Sequence, residues 1–185
     1  MPIEIVRGPL LIRSWQEADA DGLASAVADS IDHIRPWLPW AAELPSDREG
    51  IAEAMSNFIR ESFEKDDESV GLFLDGRVVG GSGLHPRLGP GGLEIGYWVH
   101  QDFVRRGIAT TTSRALTDLA FSRDGGIDRV EIHHDKANAA SGGVPRALGY
   151  TQVGEEQREA KTPQQTGLMV IWRITRGEWL TKNAT

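Results

Sequence analysis

Two arginines and a glycine at the head of a predicted helix are the most chemically suggestive residues of this sequence. They occur in DFVRRGIATTTSRALTDLAF, residues 102–121, whose apolar stripe at helical spacing is Ile108, Thr112, Ala115, Leu116 and Leu119. The first turn of a helix leaves up to four N–H groups unpartnered, and its dipole adds about half a positive charge. Gly107 lets a ligand approach this backbone without a Cβ in the way, and Arg105 and Arg106 add full charges. The pattern is typical of a phosphate or pyrophosphate site.

Residue types alone also fit an ordinary helix start with solvated arginines, and that alternative stays open at this point. Two nucleotide sites are disfavoured. The chain lacks the G-x-x-x-x-G-K-[ST] pattern of a phosphate loop, and it lacks G-x-G-x-x-G with an acidic residue about 20 positions later.

Candidate acid–base groups are a glutamate and several histidines on predicted strands. Glu94 lies on the strand that leads towards the glycine-headed helix, where it is either a base or a surface residue. The other candidates for a base are His85, His100, His133 and His134. Adjacent residues of a strand point to opposite faces, so the last two make a poor metal pair, and we predict no metal site.

Aromatic and capping residues supply further candidates. Trp37 and Trp40 lie in the proline-stiffened segment RPWLPWA, where they either pack in the core or form a wall of a substrate pocket. Asn138 and Ser141 are three residues apart in NAAS, and this spacing by itself favours a helix cap.

The elements that must position these residues alternate between strand and helix patterns. We predict a strand at 9–15, helical regions near 16–34 and 47–65, and a meander of three strands between 70 and 100. The glycine-headed helix (about 107–122), a strand (129–134), a short helix and two final strands follow. The pattern predicts a mixed α/β domain in which residues 93–133 form a strand–helix–strand crossover with locally parallel strands.

Composition limits the class of protein. The 185 residues predict one domain, 1–185, and the net charge of −7 disfavours general binding to nucleic acid. The absence of cysteine excludes disulfides, thiolate metal sites and a cysteine nucleophile. No signal peptide and no apolar run of about 20 residues is present, so we expect a soluble cytoplasmic protein that does not bind membranes.

Two segments of the sequence resemble a known family. EIGYWVHQDFVRRGIATTTSRALTDLAF followed by RVEIHHDKANAASGGVPRALGYTQVGE is similar to the GCN5-related N-acetyltransferases (GNAT), and closest to the branch of the ribosomal-protein alanine N-acetyltransferases (RimJ/RimL-like). The resemblance spans about residues 8–175 and is most specific over 93–154. It implies a mixed, mostly antiparallel sheet with a splayed parallel strand pair, flanking helices, and acetyl-coenzyme A (acetyl-CoA) as acyl donor.

The family's pyrophosphate motif, Q/R-x-x-G-x-G/A, falls on residues 104–109. The resemblance therefore implies that coenzyme A is bound by Arg105, Arg106, Gly107, Ile108, Ala109 and Thr110. Val104 departs from the motif, because the family usually has glutamine or arginine there. The preceding strand splays from its neighbour in this family, which implies that the backbone of Trp98 and Val99 contacts the pantetheine arm and the developing oxyanion.

The resemblance also implies roles for the residues downstream. Asn138 and Ser141 correspond to a cofactor-binding asparagine and to a serine that protonates the departing thiolate, and Glu94 to a carboxylate that serves as base. Pro145 cannot donate to the carbonyl of Ser141, so we expect the helix to begin only near 143–145, with Ser141 in a loop.

The acceptor is predicted to be a primary amine. An α-amine with a pKa of about 7.8 requires about 1 kcal/mol to be neutral at pH 7, whereas a lysine requires about 4.6 kcal/mol, so a protein N-terminus is favoured. A small-molecule amine, such as an antibiotic or amino-acid conjugate, remains an alternative. So do a non-catalytic acyl-CoA sensor and transfer of a larger acyl group such as succinyl. The sequence does not determine the oligomeric state, and a homodimer is one form that it allows.

Overall fold

The structure, a computed structural model, describes residues 2–62, 68–123 and 126–183. Within these residues the strands are β1 (Glu4–Arg7), β2 (Leu10–Ser14), β3 (Glu68–Leu74), β4 (Arg77–His85), β5 (Gly92–Val99), β6 (Arg129–Asp135), β7 (Thr151–Gln157) and β8 (Leu168–Thr175). The α-helices are α1 (Ala20–Ile34), α2 (Pro39–Ala42), α3 (Arg48–Ser62), α4 (Ile108–Ser122), α5 (Ala139–Ala147) and α6 (Arg176–Asn183). The architecture is a mixed α/β fold, as predicted.

The strands form one sheet in the order β1-β2-β3-β4-β5-β6-β8-β7. The pairs β1–β2, β2–β3, β6–β8 and β7–β8 are antiparallel, whereas β5 and β6 are parallel. Helix α4 connects the two parallel strands, as a parallel pair requires a crossover. The predicted meander β3-β4-β5 and the predicted crossover are both confirmed.

The hairpin between β3 and β4 follows from two residues with positive φ. Asp75 has φ 49° and Gly76 has φ 77°, and these are the only two residues between the strands. A two-residue loop with positive φ at both positions matches the right-handed twist of the flanking strands. An Asp-Gly pair between two apolar alternations predicts such a hairpin from the sequence, and the structure confirms it.

The described residues divide into two compact units. The first unit comprises Met1–Ser82 with Tyr97–Ala109, and the second comprises Gly83–Gly96 with Thr110–Thr185. The single-domain assignment therefore stays a prediction, and each unit is considered by itself.

Helices α1 and α3 build the core of the first unit. The buried residues recur at helical spacing on both helices, namely Leu23, Val27 and Ile34 on α1, and Ile51, Met55 and Ile59 on α3. Asp47 caps α3, since its Oδ1 accepts a hydrogen bond of 2.8 Å from the N–H of Gly50. The sequence predicts a cap by Asp47 and an apolar stripe of Ile51, Met55, Phe58 and Ile59; the cap is confirmed and three of the four stripe residues are buried, but Phe58 is 38% exposed.

Buried polar pairs join the helices and strands of the second unit. The hydroxyls of Thr117 on α4 and Tyr150, which precedes β7, are 2.6 Å apart and buried. The indole N–H of Trp179 on α6 donates to Asp118 Oδ1 at 2.9 Å. Because a buried N–H or O–H without a partner is costly, these pairs allow large amphipathic aromatics to fill the interior.

The structure differs from the sequence-based expectation in four elements, one of which is the four-residue helix α2 at the end of the proline-stiffened segment. Strand β1 and helix α6 were not predicted, because each is short and carries little apolar periodicity: β1 has no buried residue, and α6 buries Trp179. Helix α5 begins at Ala139 and not near 143–145, so the expectation for Pro145 is wrong. Proline removes one hydrogen bond from the helix, but the cap by Asn138 fixes the first turn before Pro145 is reached.

Asp135, at the end of β6, anchors the segment before β8. Its carboxylate accepts hydrogen bonds from the N–H groups of Ala137, Thr166 and Gly167 and from the Thr166 hydroxyl, at 2.9–3.1 Å. Burial raises the pKa of this carboxyl, but the hydrogen bonds outweigh burial and hold the pKa below its ordinary value. The ionised form is therefore the one that stabilises the fold.

We expect Asp135→Asn to lower the free energy of unfolding by about 2–3 kcal/mol at pH 7, as for hydrogen bonds to a buried charge. A depressed pKa in the folded state contributes stability that is present above the unfolded value, near 3.9, and is lost as pH falls. The difference between the wild type and the variant in urea unfolding should therefore shrink below about pH 4. Glu159→Gln, at an exposed ion pair with Lys161, serves as control and should leave stability unchanged. A difference that stays constant from pH 7 to pH 3 would contradict this assignment.

Candidate functional site

The turn that follows β5 contains the buried His100 and positions the start of the predicted phosphate site in the first unit. His100 is 1% exposed, and its Nδ1 accepts a hydrogen bond of 3.2 Å from the N–H of Asp102. The N–H of Gln101 donates to the hydroxyl of Ser30 on α1 at 3.1 Å, and Ser30 is fully buried. His100, a candidate base from sequence, therefore holds the chain in place as it leaves β5.

The backbone after this turn has the conformation of an anion-binding loop. Arg105 has φ 61°, which is uncommon for a residue other than glycine, and Gly107 has φ 74°. Such residues cluster at ligand clamps, and successive N–H groups in this conformation form a concave anion site. A Cβ built on Gly107 meets no atom within 4 Å, so the space beside its backbone is open. The loop fits the phosphates that the sequence predicts.

The two arginines have different surroundings. Arg106 donates to the carbonyl of Asp102 at 3.0 Å, and its guanidinium lies 4.9 Å from the ring centre of Phe103. Arg77 stacks on the same ring at 5.1 Å. Arg105 is exposed. The positive charge predicted beside the loop is therefore present, with Arg106 held in place by the ring.

Two glycines of β4 allow close approach of Trp98 on β5. A Cβ on Gly81 would lie 2.6 Å from the indole Nε1 of Trp98, and one on Gly80 would collide with the Trp98 carbonyl. Neither glycine was identified from the sequence, although a glycine pair inside a strand does signal close approach. The pair in VVGGSG was the available signal.

Trp98 and Val99 direct their main chains to opposite edges of β5. The Trp98 carbonyl faces Gly80, and the N–H of His100 donates to the carbonyl of Val79 at 2.8 Å, so both residues face β4. Successive residues of a strand alternate in this respect, so the N–H and C=O of Val99 point to the other edge. The contact of Trp98 and Val99 with pantetheine stays a prediction.

An aromatic pair brings one predicted substrate residue against β5. The rings of Trp40 and Trp98 are 6.3 Å apart between centroids at an interplanar angle of 65°. Trp40, on α2, is 37% exposed, so its ring is not part of the buried core. Trp37 is half-buried just after α1, where its N–H donates to the carbonyl of Ile34 at 3.0 Å. Their role in substrate binding stays a prediction.

The parallel ladder between β5 and β6 is short. Its register runs from Gly92↔Arg129 to Glu94↔Glu131, whereas β5 itself continues to Val99 and β6 to Asp135. Ladder pairing therefore ends at Glu94.

Glu94 lies beside a buried charge network in the second unit. Its Oε2 is 3.9 Å from Nδ1 of His133, and its side chain is 16% exposed. Nε2 of His133 is 2.6 Å from Glu131 Oε2, and Arg173 on β8 binds Glu131 Oε1 at 2.6 and 2.7 Å. Burial raises the pKa of Glu131, but hydrogen bonds from His133 and Arg173 hold it below its ordinary value. Sequence analysis missed Glu131 because the network joins three strands that are distant along the chain.

Asn138 and Ser141 lie at the start of α5. The Asn138 side-chain oxygen accepts a hydrogen bond of 3.2 Å from the N–H of Ser141, which is the capping role that the spacing favours. Ser141 is thus the third residue of the helix and not part of a loop. The cap is made by the backbone N–H of Ser141. The predicted roles of both residues toward the cofactor remain predictions.

His134 explains why α5 contains Gly142. Its Nε2 accepts a hydrogen bond of 3.1 Å from the indole N–H of Trp172, so the proton is on Nδ1, which donates to the carbonyl of Asp135 at 2.8 Å. A Cβ on Gly142 would lie 2.6 Å from this ring. His134 and His133 face opposite sides of β6, as predicted. Throughout residues 2–62, 68–123 and 126–183, no group of three or more His, Asp or Glu side chains is placed to hold a metal ion.

No helix among the described residues has the length and apolarity needed to cross a membrane.

A family model, described as an acetyltransferase (GNAT) domain, matches residues 9–151. YdaF of Bacillus subtilis (strain 168), provisionally named a ribosomal N-acetyltransferase, is 27% identical over 172 residues, which cover 92% of this chain and 93% of that protein.

Two solved structures share the fold. RimL, a ribosomal L7/L12 alpha-N-protein acetyltransferase in complex with coenzyme A, has a TM-score of 0.79 and 20% identity, with 95% of this chain and 98% of that chain covered. The microcin C7 self-immunity acetyltransferase MccE, in complex with acetyl-CoA and AMP, has a TM-score of 0.78 and 15% identity, with 91% and 93% covered.

The family match extends over most of the chain and includes β5, the anion-binding loop and α4, which are the elements whose geometry fits a pyrophosphate. The chain therefore belongs to the GNAT acetyltransferase family.

Proposed function

We propose that this chain transfers the acetyl group of acetyl-CoA to the α-amine of a protein N-terminus. The observation that carries the proposal is the anion-binding loop at 104–110, with its open backbone at Gly107 and its left-handed Arg105. Its N–H groups and flanking arginines are complementary to a pyrophosphate. The similarity to YdaF and to RimL supports a protein as acceptor.

The cofactor would be held at three places. The pyrophosphate would contact the N–H groups of Gly107, Ile108, Ala109 and Thr110, with Arg105 and Arg106 adding charge. The main chain of Val99, with that of Trp98 beside it, would bind the pantetheine arm, since the ladder between β5 and β6 ends before these residues. Asn138 would contribute its amide N–H, because the helix cap uses only its oxygen.

Transfer would proceed by direct attack of the neutral amine on the thioester. Glu94 would take the proton of the ammonium, since it is a partly exposed carboxylate at the point where the ladder ends. Ser141 would give the thiolate its proton, and the hydroxyl would be reprotonated by water. The chain has no cysteine, so the acetyl group cannot pass through an enzyme-bound cysteine thioester.

The aromatic pair Trp40–Trp98, together with Trp37, would form a wall for the acceptor. Flat rings hold a peptide end well, and Trp40 is exposed enough to meet one. The same rings could stack on a heterocycle, and MccE was solved with AMP, so a small-molecule amine is the second candidate.

An acceptor screen tests the proposal. We expect release of free thiol from acetyl-CoA with N-terminal peptides, and slower or no release with aminoglycosides, polyamines and aminoacyl nucleosides. Faster turnover of a small amine would replace the protein acceptor with the second candidate. Binding of acetyl-CoA without turnover of any amine would make the chain a sensor, and turnover of succinyl-CoA in preference would change the acyl group.

A further inference from the structure

The face of the sheet that carries Glu94 also carries His133, a candidate base from the sequence to which the proposed function assigns no role. Glu94 and Glu131 are register partners in the β5–β6 ladder, and His133 is two residues beyond Glu131 on the same face of β6. The His133 side chain is 3% exposed and that of Glu131 5%. Two buried ionisable groups beside a candidate base need a physical reason, because burying charge is costly.

The hydrogen bonds of His133 indicate which ring nitrogen carries the proton in the neutral imidazole. Arg158, which follows β7, has its Nη2 3.2 Å from Nδ1, and a guanidinium can only donate. Nδ1 therefore carries a lone pair, and the ring proton is on Nε2, which donates to Glu131 at 2.6 Å. Glu131 is fixed in turn by Arg173. The ring is thus held with its basic nitrogen towards Glu94.

The distance from Nδ1 to Glu94 Oε2 is 3.9 Å, which exceeds a hydrogen bond by about 1 Å. A direct hydrogen bond between these two groups therefore requires a movement of the Glu94 carboxylate of about 1 Å. Arg158 is the weaker competitor for Nδ1, because its side chain is 43% exposed and is also paired with Glu156 at 2.7 Å. Protonation of Nδ1 would repel Arg158 and attract Glu94.

We propose that His133 receives the proton that Glu94 removes from the acceptor ammonium, with Glu131 and Arg173 holding its ring in position. This inference rests on the proposed function. The ammonium loses two protons in the reaction: one passes from Glu94 to Nδ1 of His133 and then to solvent, and the other ends on the departing thiol. His133 does not touch the substrate, so it is a positioning and relay residue.

The relay predicts a particular pH dependence for His133→Gln. Glutamine still donates to Glu131 but cannot take a proton, so turnover at about pH 6 should fall about tenfold. The deficit should shrink to within about twofold near pH 9, because an α-amine is already neutral there. The KM for the acceptor and the Kd for acetyl-CoA should change less than about twofold. His33→Gln, at an exposed position on α1, is the matched control and should have no deficit.

A deficit of equal size at both pH values would reduce His133 to a structural residue and overturn the relay. A variant that failed to fold would be replaced by His133→Asn, which is smaller and keeps an amide donor.

Nuclear magnetic resonance of the imidazole nitrogens tests the same inference without any substrate. Glu94→Gln should shift the ring nitrogens of His133 and leave those of His134, on the opposite face, unmoved. Unmoved His133 resonances would overturn the relay even in an active enzyme. Conversely, shifted resonances in a protein that acetylates no amine would place the failure in the proposed function and not in the coupling of Glu94 to His133.

Discussion

Replacing Gly107 with asparagine is expected to weaken binding of acetyl-CoA at least about a hundredfold, or about 2.8 kcal/mol, while the fold is kept. Asparagine tolerates a positive φ better than other residues with a side chain, so the backbone can keep its φ of 74°. Its side chain would occupy the open space beside the backbone, where no protein atom lies within 4 Å of a Cβ. The pyrophosphate would then be kept away from the N–H groups. Isothermal titration calorimetry measures the change.

Gly8 provides the matched control for this variant. It has φ 58°, its Cβ would also meet no atom within 4 Å, and it lies in the turn between β1 and β2. Gly8→Asn therefore imposes a similar backbone demand away from the loop and should leave the affinity unchanged. If both variants bound acetyl-CoA like the wild type, the pyrophosphate would not lie on the backbone at Gly107, and the proposed cofactor site would be wrong.

Removing the hydroxyl in Ser141→Ala is expected to lower kcat about a hundredfold, the effect typical of a lost general acid. The affinity for acetyl-CoA should change less than about twofold, because the proposed proton transfer occurs after binding. The helix itself should persist, since Asn138 caps it through the backbone N–H of Ser141, which alanine retains. Steady-state kinetics at saturating acetyl-CoA, with the thermal midpoint as a check of folding, measure the change.

Two further variants separate chemistry from capping. Ser141→Thr keeps a hydroxyl and should recover much of the activity. Asn138→Asp keeps the cap but replaces the amide N–H by a carboxylate, so it should weaken cofactor binding while stability is retained. Wild-type turnover in Ser141→Ala would contradict the proposed catalytic role and leave Ser141 with a structural role in α5.

Local patterns were sufficient to predict the elements that carry the proposed cofactor loop. The spacing of Ile108, Thr112 and Leu116 predicts the buried face of α4, and these side chains are buried in the structure. Asp75-Gly76 predicts a tight hairpin, which the two positive φ values provide. Both signals are short-range, because helix periodicity and turn conformation depend on residues within a few positions of each other.

Contacts between residues that are distant along the chain decided the features that local patterns could not predict. The sequence by itself determined the order of the elements, the glycine-headed helix and the parallel crossover. The start of α5 at Ala139 combines the local cap by Asn138 with the close approach of His134 to Gly142, and only the second of these contacts depends on the tertiary structure. Only it brought Glu131, His133 and Arg173 together, because strand pairing joins positions 42 residues apart. Periodicity in the sequence shows which face of an element is buried. It does not show which side chains from other elements contact that face, because those contacts depend on the register of the whole sheet.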